Sequence, residues 1–566
     1  MVLVVVLLTG ALLTAEAAVK SFPTAEGLGA NSRGGRGGRV IKVINLNDRG
    51  TGSLRACMEN TGPRTCIFTV GGTIALNSNI RVSGSSMSYL TVAGQTAPGG
   101  GIQLKNFGIY LVNGVHDVII RHLRIRPGHE RAPRLYGDGF ALLIYADSPH
   151  DIIIDHVSMQ WGTYMTYEHM MSNGEGVGDI TVQWSMIGVA ENDRDYVDPQ
   201  GNPALSFSAG LGGWGDENLR SSFHHNLLHS SEGRQPLMGQ GFLDFVNNIM
   251  FNWYACHGAS AFGTMGNNDG RGGWQVRANL VNNIWIPGPT QTGCYMGTLG
   301  RNPFAQIYLS GIRTPFCGAC VNPTLNDAGF RGEYADGSPE VSDSIYRVGT
   351  PFPAPPITVT PLDSLEATLV ANVGATKPRR DSLDTLYLNQ FQARQGGCGE
   401  QPRRIGCRQG QPYPNLAGGT PPVDSDGDGI PNTWEQSRGL NPNNSADGAQ
   451  TAANGYTNLE NYLNELAGDT APGGNLPTLA APPHEFSPAS GPPGATVSIN
   501  GLNLAAAPVT VTFGAAPAPV LSTSPTRITA AVPAMSPGAV VLTVTTAVGS
   551  VSSRNTFQVK PRGRHR

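Results

Sequence analysis

Short runs of β-branched and aliphatic residues, separated by Gly, Asn, Asp and Pro, recur along residues 21–415. Runs of this length and composition predict short strands rather than helices. Two runs are nearly copies, HDVIIRHL from His116 and HDIIIDHV from His150, and they begin 34 residues apart. Weaker copies follow at residues 178–182 and 222–227. The pattern therefore predicts an all-β fold built from repeated short strands.

A second pair of copies points to the same architecture. The segment FVNNIM at residues 245–250 returns as LVNNIW at residues 280–285. Repeated units that cannot bury one face alone, but can bury it against a neighbour, predict a stacked solenoid. We expect the repeated Asn-Asn pairs to form ladders of stacked amides between coils. The alternative is that these amides bind a ligand.

The composition changes after Asn415, where GGTPP indicates a linker. A compact polar module follows, and then a segment of short β runs with Gly and Pro turns, which predicts a small β-sandwich. The sandwich contains neither Trp nor Tyr, the aromatic faces on which sugars stack, so we expect a spacer or interaction role. The predicted divisions are a signal peptide at 1–18, a solenoid at 19–415, linkers at 416–423 and 470–483, the polar module at 424–469, the sandwich at 484–560 and a basic tail at 561–566.

Charge and the N-terminus restrict the choice of partners. Charged residues are 14% of the 566 residues and the formal net charge is -3, so no global field favours nucleic acid or an acidic membrane. Residues 1–18 combine an apolar run with an A-x-A-like site, which predicts a secretory signal peptide, although no Lys or Arg precedes the run. The run is too short to span a bilayer. We expect a secreted monomer without a membrane span.

The eight cysteines fit an oxidising compartment. Two close pairs, Cys57 with Cys66 and Cys398 with Cys407, predict local disulfides. A C-x-x-C spacing also occurs, but no second pair follows at zinc-finger distance, so we favour a disulfide over a metal or redox site. The sequence leaves open the connectivity of Cys256, Cys294, Cys317 and Cys320.

The polar module opens with the acidic loop DSDGDGIPNTWE at residues 424–435. Its carboxylates occupy the first, third, fifth and twelfth positions and a glycine the sixth, the spacing that wraps oxygen ligands around calcium. The predicted ligands are Asp424, Asp426, Asp428, the carbonyl of Ile430, and Glu435. A turn at residues 454–460 lacks the first carboxylates, so we expect it to bind calcium weakly or not at all. The module resembles thrombospondin type 3-like calcium repeats, which implies a structural role.

Motifs spread over residues 20–410 carry a second resemblance. They are FPTAEG from Phe22, RGGRGGRV from Arg33, NLND from Asn45, IDH from Ile154, HHN from His224, RQPL from Arg234, VGA from Val373 and PRRD from Pro378. Together they resemble bacterial pectate lyases of polysaccharide lyase family 1. The resemblance implies a right-handed parallel β-helix, in agreement with the predicted solenoid. The C-terminal sandwich is similar to IPT/TIG-like immunoglobulin-type domains.

The resemblance also implies a reaction. That family breaks polygalacturonate by β-elimination, with an arginine as base and calcium at the uronate carboxylate, and its motif maps the base to Arg234. Arginine is a reluctant base, so a purely electrostatic role stays open, as does a turn arginine paired with Glu232. Asp138 matches the first calcium ligand. Phe140 and the pair Tyr164 and Met165 replace acidic residues of relatives, which makes Glu168 the nearest substitute, with Glu191 and Asp193 as alternatives.

An arginine-rich stretch precedes Asp138. Arg124 and Arg126 flank Ile125, so in a strand both face away from the core that Ile125 enters. We predict that Arg121, Arg124 and Arg126 bind carboxylates of the substrate, the alternative being a solvated strand face. Asp155 and His156 could form a functional carboxylate-imidazole pair, but a hydrogen-bonded turn pair is the preferred interpretation.

The sequence therefore predicts a secreted, calcium-dependent polysaccharide lyase acting on a uronate-containing polymer, pectate first. Its partner is an acidic polysaccharide, and no motif indicates nucleic acid. One alternative is a non-catalytic β-helix that binds or displays carbohydrate after losing its calcium carboxylates. Another is a β-helix glycoside hydrolase, which would need two opposed carboxylates that are not evident near Arg234.

Overall fold

The structure is a computed structural model that divides into two units, residues 1–467 and 468–566. It describes residues 19–128, 139–163, 165–170, 178–191, 207–212, 218–231, 233–239, 241–253, 262–264, 275–286, 288–289, 297–298, 305–313, 330–331, 347–396, 411–452, 454–469, 478–479, 485–502, 504, 509–524, 526–546 and 549–561. The predicted signal peptide lies outside these residues. So do all the cysteines except Cys57 and Cys66.

The first unit winds through three parallel sheets, named here in the order in which the chain visits them. Sheet 1 consists, in spatial order, of Arg39–Val43, Arg64–Phe68, Leu90–Ala93, His116–Arg121, His150–Asp155, Asp179–Gln183, Arg220–His224, Gly241–Val246, Val276–Val281 and Gln306–Ser310. Sheet 2 consists of Gly72–Ala75, Ile102–Lys105, Arg124–Arg126, Ser158–Gln160, Met186–Gly188, Leu227–Ser231, Ile249–Trp253 and Ile284–Ile286. Sheet 3 consists of Ile80–Ser83, Ile109–Val112, Leu142–Tyr145, Met165–Met170, Phe207–Leu211, Leu237–Met238, Phe262–Thr264, Gly297–Thr298 and Phe330–Arg331.

This winding is a parallel β-helix, and the strand register confirms the repeats seen in the sequence. His150 pairs with His116 and Ile154 pairs with Ile120, so the 34-residue repeat is one turn of the helix. Phe245 pairs with Leu280, which places the two Asn-Asn copies on neighbouring turns. Each coil therefore repeats the alternation of buried and outward residues of the coil before it.

The predicted asparagine ladder is present where sheet 1 turns into sheet 2. The Nδ2 of Asn226 donates to the Oδ1 of Asn248 at 3.0 Å, and the Nδ2 of Asn248 donates to the Oδ1 of Asn283 at 3.3 Å. The same oxygens accept backbone N–H groups of the preceding coil. Stacked amides therefore satisfy buried backbone groups at this corner, as expected for a structural ladder.

The core lies inside the three sheets, but sheet 1 is also covered on its outer face. Ile152 and Ile154 point inward and are 0% exposed. Ile153 points outward and packs with Phe22 and Ala30 of the N-terminal segment. Burying such a side chain contributes about 1.5–3 kcal/mol, so the N-terminal segment stabilises the coils that it crosses.

The helices are short and lie outside the coils. Within the described residues they are α1 (Leu54–Met58), α2 (Leu362–Asn372), α3 (Ser382–Gln392), α4 (Asn432–Arg438) and α5 (Asn458–Ala467), with 3-10 turns at Leu28–Asn31, Ser85–Met87 and Gly94–Thr96. Helix α3 begins after Asp381, whose carboxylate accepts the N–H groups of Leu383 and Asp384 as an N-cap. Helices α2 and α3 pack on the outer face of sheet 2. Helix α5 packs on the outer face of sheet 1.

The predicted disulfide between Cys57 and Cys66 is present and joins α1 to the second strand of sheet 1. The other predicted disulfide, Cys398 with Cys407, lies outside the described residues and stays a prediction. None of the helices in the described ranges has the length and hydropathy needed to cross a bilayer.

The second unit is a β-sandwich, as the alternating runs predicted. One sheet contains Thr478–Leu479, Phe486–Ser487, Thr496–Leu502, Val520–Ser524 and Arg527–Ala531. The other contains Ser490–Gly491, Thr510–Phe513, Ala516–Ala518, Gly538–Thr546 and Gly549–Val559. Phe513 and Phe557 meet edge to face in its core, with ring centroids 5.2 Å apart.

Candidate active site and cation loop

Arg234 lies just before a strand of sheet 3, in a backbone conformation that residues other than glycine rarely adopt. Its φ is 53°, and its carbonyl oxygen accepts the N–H of Ala209 at 2.8 Å. The guanidinium carbon lies 3.9 Å from the ring centroid of Phe207. This cation-π contact orients a half-buried arginine at the outer face of sheet 3.

Glu168 lies in the same region of sheet 3. It pairs with Gly210 in the strand register, and Gly210 pairs with Leu237, three residues after Arg234. A Cβ on Gly210 would lie only 3.1 Å from the Oε1 of Glu168, so the glycine leaves room for the carboxylate. Burial raises the pKa of Glu168 to about 7, and the charge of Arg234 opposes that rise. The two side chains therefore interact electrostatically.

Of the other acids predicted as ligands of the calcium at the uronate carboxylate, the structure describes only Glu191. Glu191 is 1% exposed, and its backbone forms an isolated β-bridge with Thr163. Asp138 and Asp193 lie outside the described residues. Glu168 belongs to none of the groups of three metal-ligating side chains found in the described part of the chain. Asp138 is not among the described residues, so the ligand pair Asp138 and Glu168 stays a prediction.

The predicted substrate-binding face of Arg124 and Arg126 is wrong. Both side chains point outward from sheet 2, as the alternation with Ile125 required, but both are 0% exposed. Arg126 donates to Asp381 at 2.6 Å and to Asp384 at 2.8 Å. The solvated alternative is also wrong, because the start of α3 covers this face and supplies the carboxylates.

Arg121 is also buried, at 3% exposure, and does not face solvent. It pairs with Asp155 at 2.7 Å and its guanidinium lies 3.7 Å from the Phe22 ring centroid. Asp155 accepts in addition from His156 at 2.9 Å and Gln183 at 2.8 Å. Burial alone would raise the pKa of Asp155, but His156 and Arg121 hold it well below its usual value. The preferred interpretation of a hydrogen-bonded turn pair is therefore confirmed.

The acidic loop at residues 424–435 adopts a closed conformation. The Asp424 carboxylate accepts the N–H groups of Gly427 at 2.8 Å and Gly429 at 3.1 Å. The Asp428 carboxylate accepts the N–H of Ile430 at 2.9 Å. Asp424, Asp426 and Asp428 bring one oxygen each within 4.8 Å of one another. The loop thus converges its carboxylates, as the calcium spacing predicts.

Unpartnered buried carboxylates test whether the loop fits a cation. Glu435 is 0% exposed, and neither of its carboxylate oxygens accepts a hydrogen bond from a described residue. One oxygen each of Asp426, Asp428 and Asp447 is likewise without a described partner. Burial, with the neighbouring carboxylates, raises the pKa of Glu435 to about 7. Buried carboxylates of this kind are stable as anions only with a cation, so the donor set fits calcium.

Asp447 is a candidate ligand that the loop spacing did not reveal. It forms a group with Asp428 and Glu435 in which the ligand atoms lie within 4.8 Å. A Cβ on Gly448 would lie 2.2 Å from the Oδ2 of Asp428, so a glycine is needed beside it. The turn at residues 454–460 uses its acid elsewhere, because Glu460 bonds to Thr457 and Arg36. The described ligand groups do not include Glu460.

Comparison with known proteins identifies the family. A probable pectate lyase C from Aspergillus fumigatus is 32% identical over 458 residues, which are 80% of this chain and 95% of that protein. The corresponding protein of Neosartorya fischeri is 33% identical over 454 residues, with the same coverage. The chain belongs to the pectate lyase family. These relatives are fungal, and the more specific resemblance to bacterial members and to thrombospondin type 3-like repeats stays a prediction.

Further matches concern the fold and the C-terminal unit. The family model for the IPT/TIG domain matches residues 483–559. The sequence predicted such a domain at residues 484–560. Among solved structures, the cedar pollen allergen jun a 1 is 17% identical, covers 62% of this chain and 92% of its own, and gives a TM-score of 0.40. Pectate lyase II from Xanthomonas campestris is 16% identical, covers 63% of this chain and 99% of its own, and gives a TM-score of 0.37.

In this member of the pectate lyase family, the sequence singled out Arg234 and the acidic loop as candidates but gave no indication of the residues beside them. Phe207 precedes Arg234 by several strands and Asp447 follows α4, and no periodic pattern marks either residue. Only the Gly448 next to Asp447 hinted at a close approach. The buried acids Asp381 and Asp384 had a visible signal, the motif PRRD followed by a helical run, but nothing in it indicated their arginine partners.

Proposed function

We propose that this pectate lyase family member cleaves pectate by β-elimination, with Arg234 as the catalytic residue. The observation that carries the proposal is the position of Arg234 on the outer face of sheet 3, stacked on Phe207 and close to Glu168. The outer faces of sheets 1 and 2 are packed against other segments where the structure describes them. In this proposal the polymer approaches Arg234 on the outer face of sheet 3, where that side chain is half-buried.

The reaction removes the proton on the carbon next to the uronate carboxylate and expels the oxygen of the 4-linked sugar. Arg234 can serve it in either of two ways. As a base, it would first give up its own proton and then accept the one from carbon. As a cation, it would stabilise the negative charge that develops on the sugar. The contact with Phe207 restricts the position of the guanidinium, which favours either role because a positioned catalytic group lowers the barrier.

Calcium enters the proposal at two places. The acidic loop, with Asp424, Asp426, Asp428, Ile430 and Glu435, binds a structural calcium, to which we add Asp447. Asp138 and Glu168 remain the proposed ligands of an active-site calcium, but no step of the reaction is assigned to that ion. Secretion through residues 1–18, an acidic polysaccharide partner and a monomeric state complete the proposal.

The test is production of unsaturated uronate from polygalacturonate, followed by its ultraviolet absorbance, for the wild type, Arg234→Lys and Arg234→Ala. A group that transfers a proton or stabilises charge contributes about 10²–10⁴-fold, so we expect Arg234→Ala to lose that much of kcat. Arg220→Ala is the control, because Arg220 is an exposed arginine paired with Asp179 on sheet 1. It should retain full activity.

Binding to immobilised polygalacturonate separates catalysis from adhesion. The proposal expects Arg234→Ala to bind the polymer while losing turnover. A wild-type chain that binds the polymer but forms no unsaturated product, on pectate or on any other uronate polymer, would instead support the non-catalytic β-helix. Equal activity of the wild type and Arg234→Ala would remove Arg234 from the catalytic role.

A further inference from the structure

The acidic loop is joined to the first strands of sheet 1 by residues that also build the cation site. Ile430 occupies the loop position whose carbonyl would bind the cation, and its side chain is 0% exposed. That side chain packs with Ile67 and Ala93 of the β-helix and with Leu459 and Leu463 of α5. Ile430 is therefore part of the acidic loop and also part of the contact between that loop and the coils.

The loop backbone itself touches the sheet at Gly429. Its φ is 96°, and a Cβ there would lie 3.0 Å from the Cγ1 of Val40 and 3.1 Å from the Cδ1 of Ile67. Next to it, the Nζ of Lys42 lies 2.7 Å from the Oδ2 of Asp424, the first acid of the loop. The strand Arg39–Val43 therefore meets the loop through van der Waals contact and through an ion pair.

Helix α5 provides a second attachment. The Nε of Arg36 lies 2.8 Å from the Oε1 of Glu460, and the Arg36 guanidinium lies 5.5 Å from the Tyr456 ring centroid. The Nε2 of Gln95 donates to the carbonyl of Leu463 at 3.4 Å. These contacts fall at the same end of sheet 1, so the acidic loop and α5 both cover the first coils.

The charge of the loop makes this attachment dependent on a cation. Asp424, Asp426, Asp428, Glu435 and Asp447 place five carboxylates together, and one lysine, Lys42, is paired with them among the described contacts. Without divalent cations the excess negative charge repels itself in a poorly solvated site. The N–H of Ile430 bonds to the carboxylate of Asp428 at 2.9 Å, so an opening of the loop moves Ile430.

We propose that the acidic loop is a calcium-dependent latch, which holds segment 424–467 on the first coils of the β-helix when calcium is bound and releases it when calcium is removed. The proposal rests on the structural calcium site proposed above. Release uncovers Ile67 and Ala93 and removes the partner of Lys42. The strands Arg39–Val43 and Arg64–Phe68 then lose the layer that shields them from water.

The test is amide hydrogen exchange of the full chain, with calcium and with chelator, together with calcium titration calorimetry. Calcium should slow exchange in Arg39–Val43 and Arg64–Phe68 by at least about tenfold, because local opening governs exchange there. Exchange in Gln306–Ser310, at the opposite end of sheet 1, should not change. This strand is the internal control for a global effect of calcium on the lyase.

Two variants separate the latch from the metal site. Ile430→Ala keeps the carbonyl ligand, so it should still bind calcium. In this variant the ratio of exchange rates without and with calcium, measured in the first two strands of sheet 1, should be at least about tenfold smaller than in the wild type. Glu435→Gln removes a ligand charge and should lose both binding and slowing. Val423→Ala is the matched control, because Val423 is an apolar neighbour of the loop with 71% exposure. If Ile430→Ala does not fold, Lys42→Met provides the comparison, since it removes a docking contact without removing a ligand.

Calcium binding by the wild type with unchanged exchange at the first two strands would overturn the latch and leave the calcium site in place. Absence of calcium binding by both the wild type and Glu435→Gln would overturn the site and the latch together. Neither readout uses turnover, so both outcomes are distinct from failure of the proposed lyase activity.

Discussion

Replacing Arg126 with methionine tests the buried arginine network directly. The Arg126 guanidinium donates to Gln160 at 2.8 Å, to Gln103 at 2.6 Å, to Asp381 at 2.6 Å and to Asp384 at 2.8 Å. Methionine keeps much of the length of the stem but supplies no donor and no charge. The variant therefore leaves two carboxylates at the start of α3 with fewer partners while changing the packing little.

The expected cost follows from the partners that remain. Removing one member of a buried ion pair costs about 3–5 kcal/mol, because the other charge is left without compensation. Arg124 still lies 3.1 Å from Asp381, and Gln160 still donates to Asp384 at 2.9 Å, so we expect a loss near the lower limit, about 3 kcal/mol. For a unit of 467 residues the unfolding entropy is about 1 kcal/mol per degree, which makes the loss in Tm about 3 °C.

The dependence on pH gives an independent signature. Burial alone would raise the pKa of Asp381, but Arg126 and Arg124 lower it to about 2, below the ordinary value of 3.8. A carboxyl whose pKa is lower in the folded state stabilises the fold above its ordinary pKa and loses that contribution as pH falls toward the folded value. The stability gap between the wild type and Arg126→Met should therefore be full above about pH 4 and shrink toward pH 2.

The assay combines guanidinium and thermal unfolding with lyase kinetics. The control is Arg313→Met, because Arg313 pairs with Asp363 at 2.7 Å on the surface and should cost at most about 1 kcal/mol. At temperatures where Arg126→Met is folded, its KM for polygalacturonate should equal that of the wild type. An unchanged Tm with a raised KM would refute the buried network and restore the substrate-binding face.

Two further predictions concern sheet 1 and the asparagine ladder. Burial raises the pKa of Asp244 to about 6, above its ordinary value of 3.8, so ionisation of this carboxyl lowers the stability of the fold as pH rises from about 4 to 6. The variant Asp244→Asn should therefore be about 2–3 kcal/mol more stable than the wild type at pH 8 and equally stable near pH 3. Denaturant titration at each pH measures this difference. A variant no more stable at pH 8 would contradict this environment. Asn248→Ala removes the acceptor of the Asn226 N–H and the side-chain donor to the carbonyl of Phe223, and should cost about 2–4 kcal/mol in guanidinium unfolding. A loss below about 1 kcal/mol would mean that water replaces the amide.

Features that depend on neighbouring residues could be predicted from the sequence. The coil period was visible because each turn of the β-helix repeats the same alternation, so His116 and His150 carry the same local pattern. The disulfide between Cys57 and Cys66 spans only nine residues. The carboxylates of the acidic loop lie within twelve consecutive residues, so their convergence is a property of the local backbone.

The surroundings of each functional group depended instead on contacts between distant segments. Arg126 and its partner Asp384 are 258 residues apart, so the pattern that showed Arg126 facing away from the core could not show what covers it. The same holds for Arg234 with Phe207, and for Asp447 with the acidic loop. Periodicity determines which way a side chain points, because that follows from backbone geometry. Tertiary packing determines whether it meets solvent, a partner or a ligand, because burial depends on segments that local sequence does not specify.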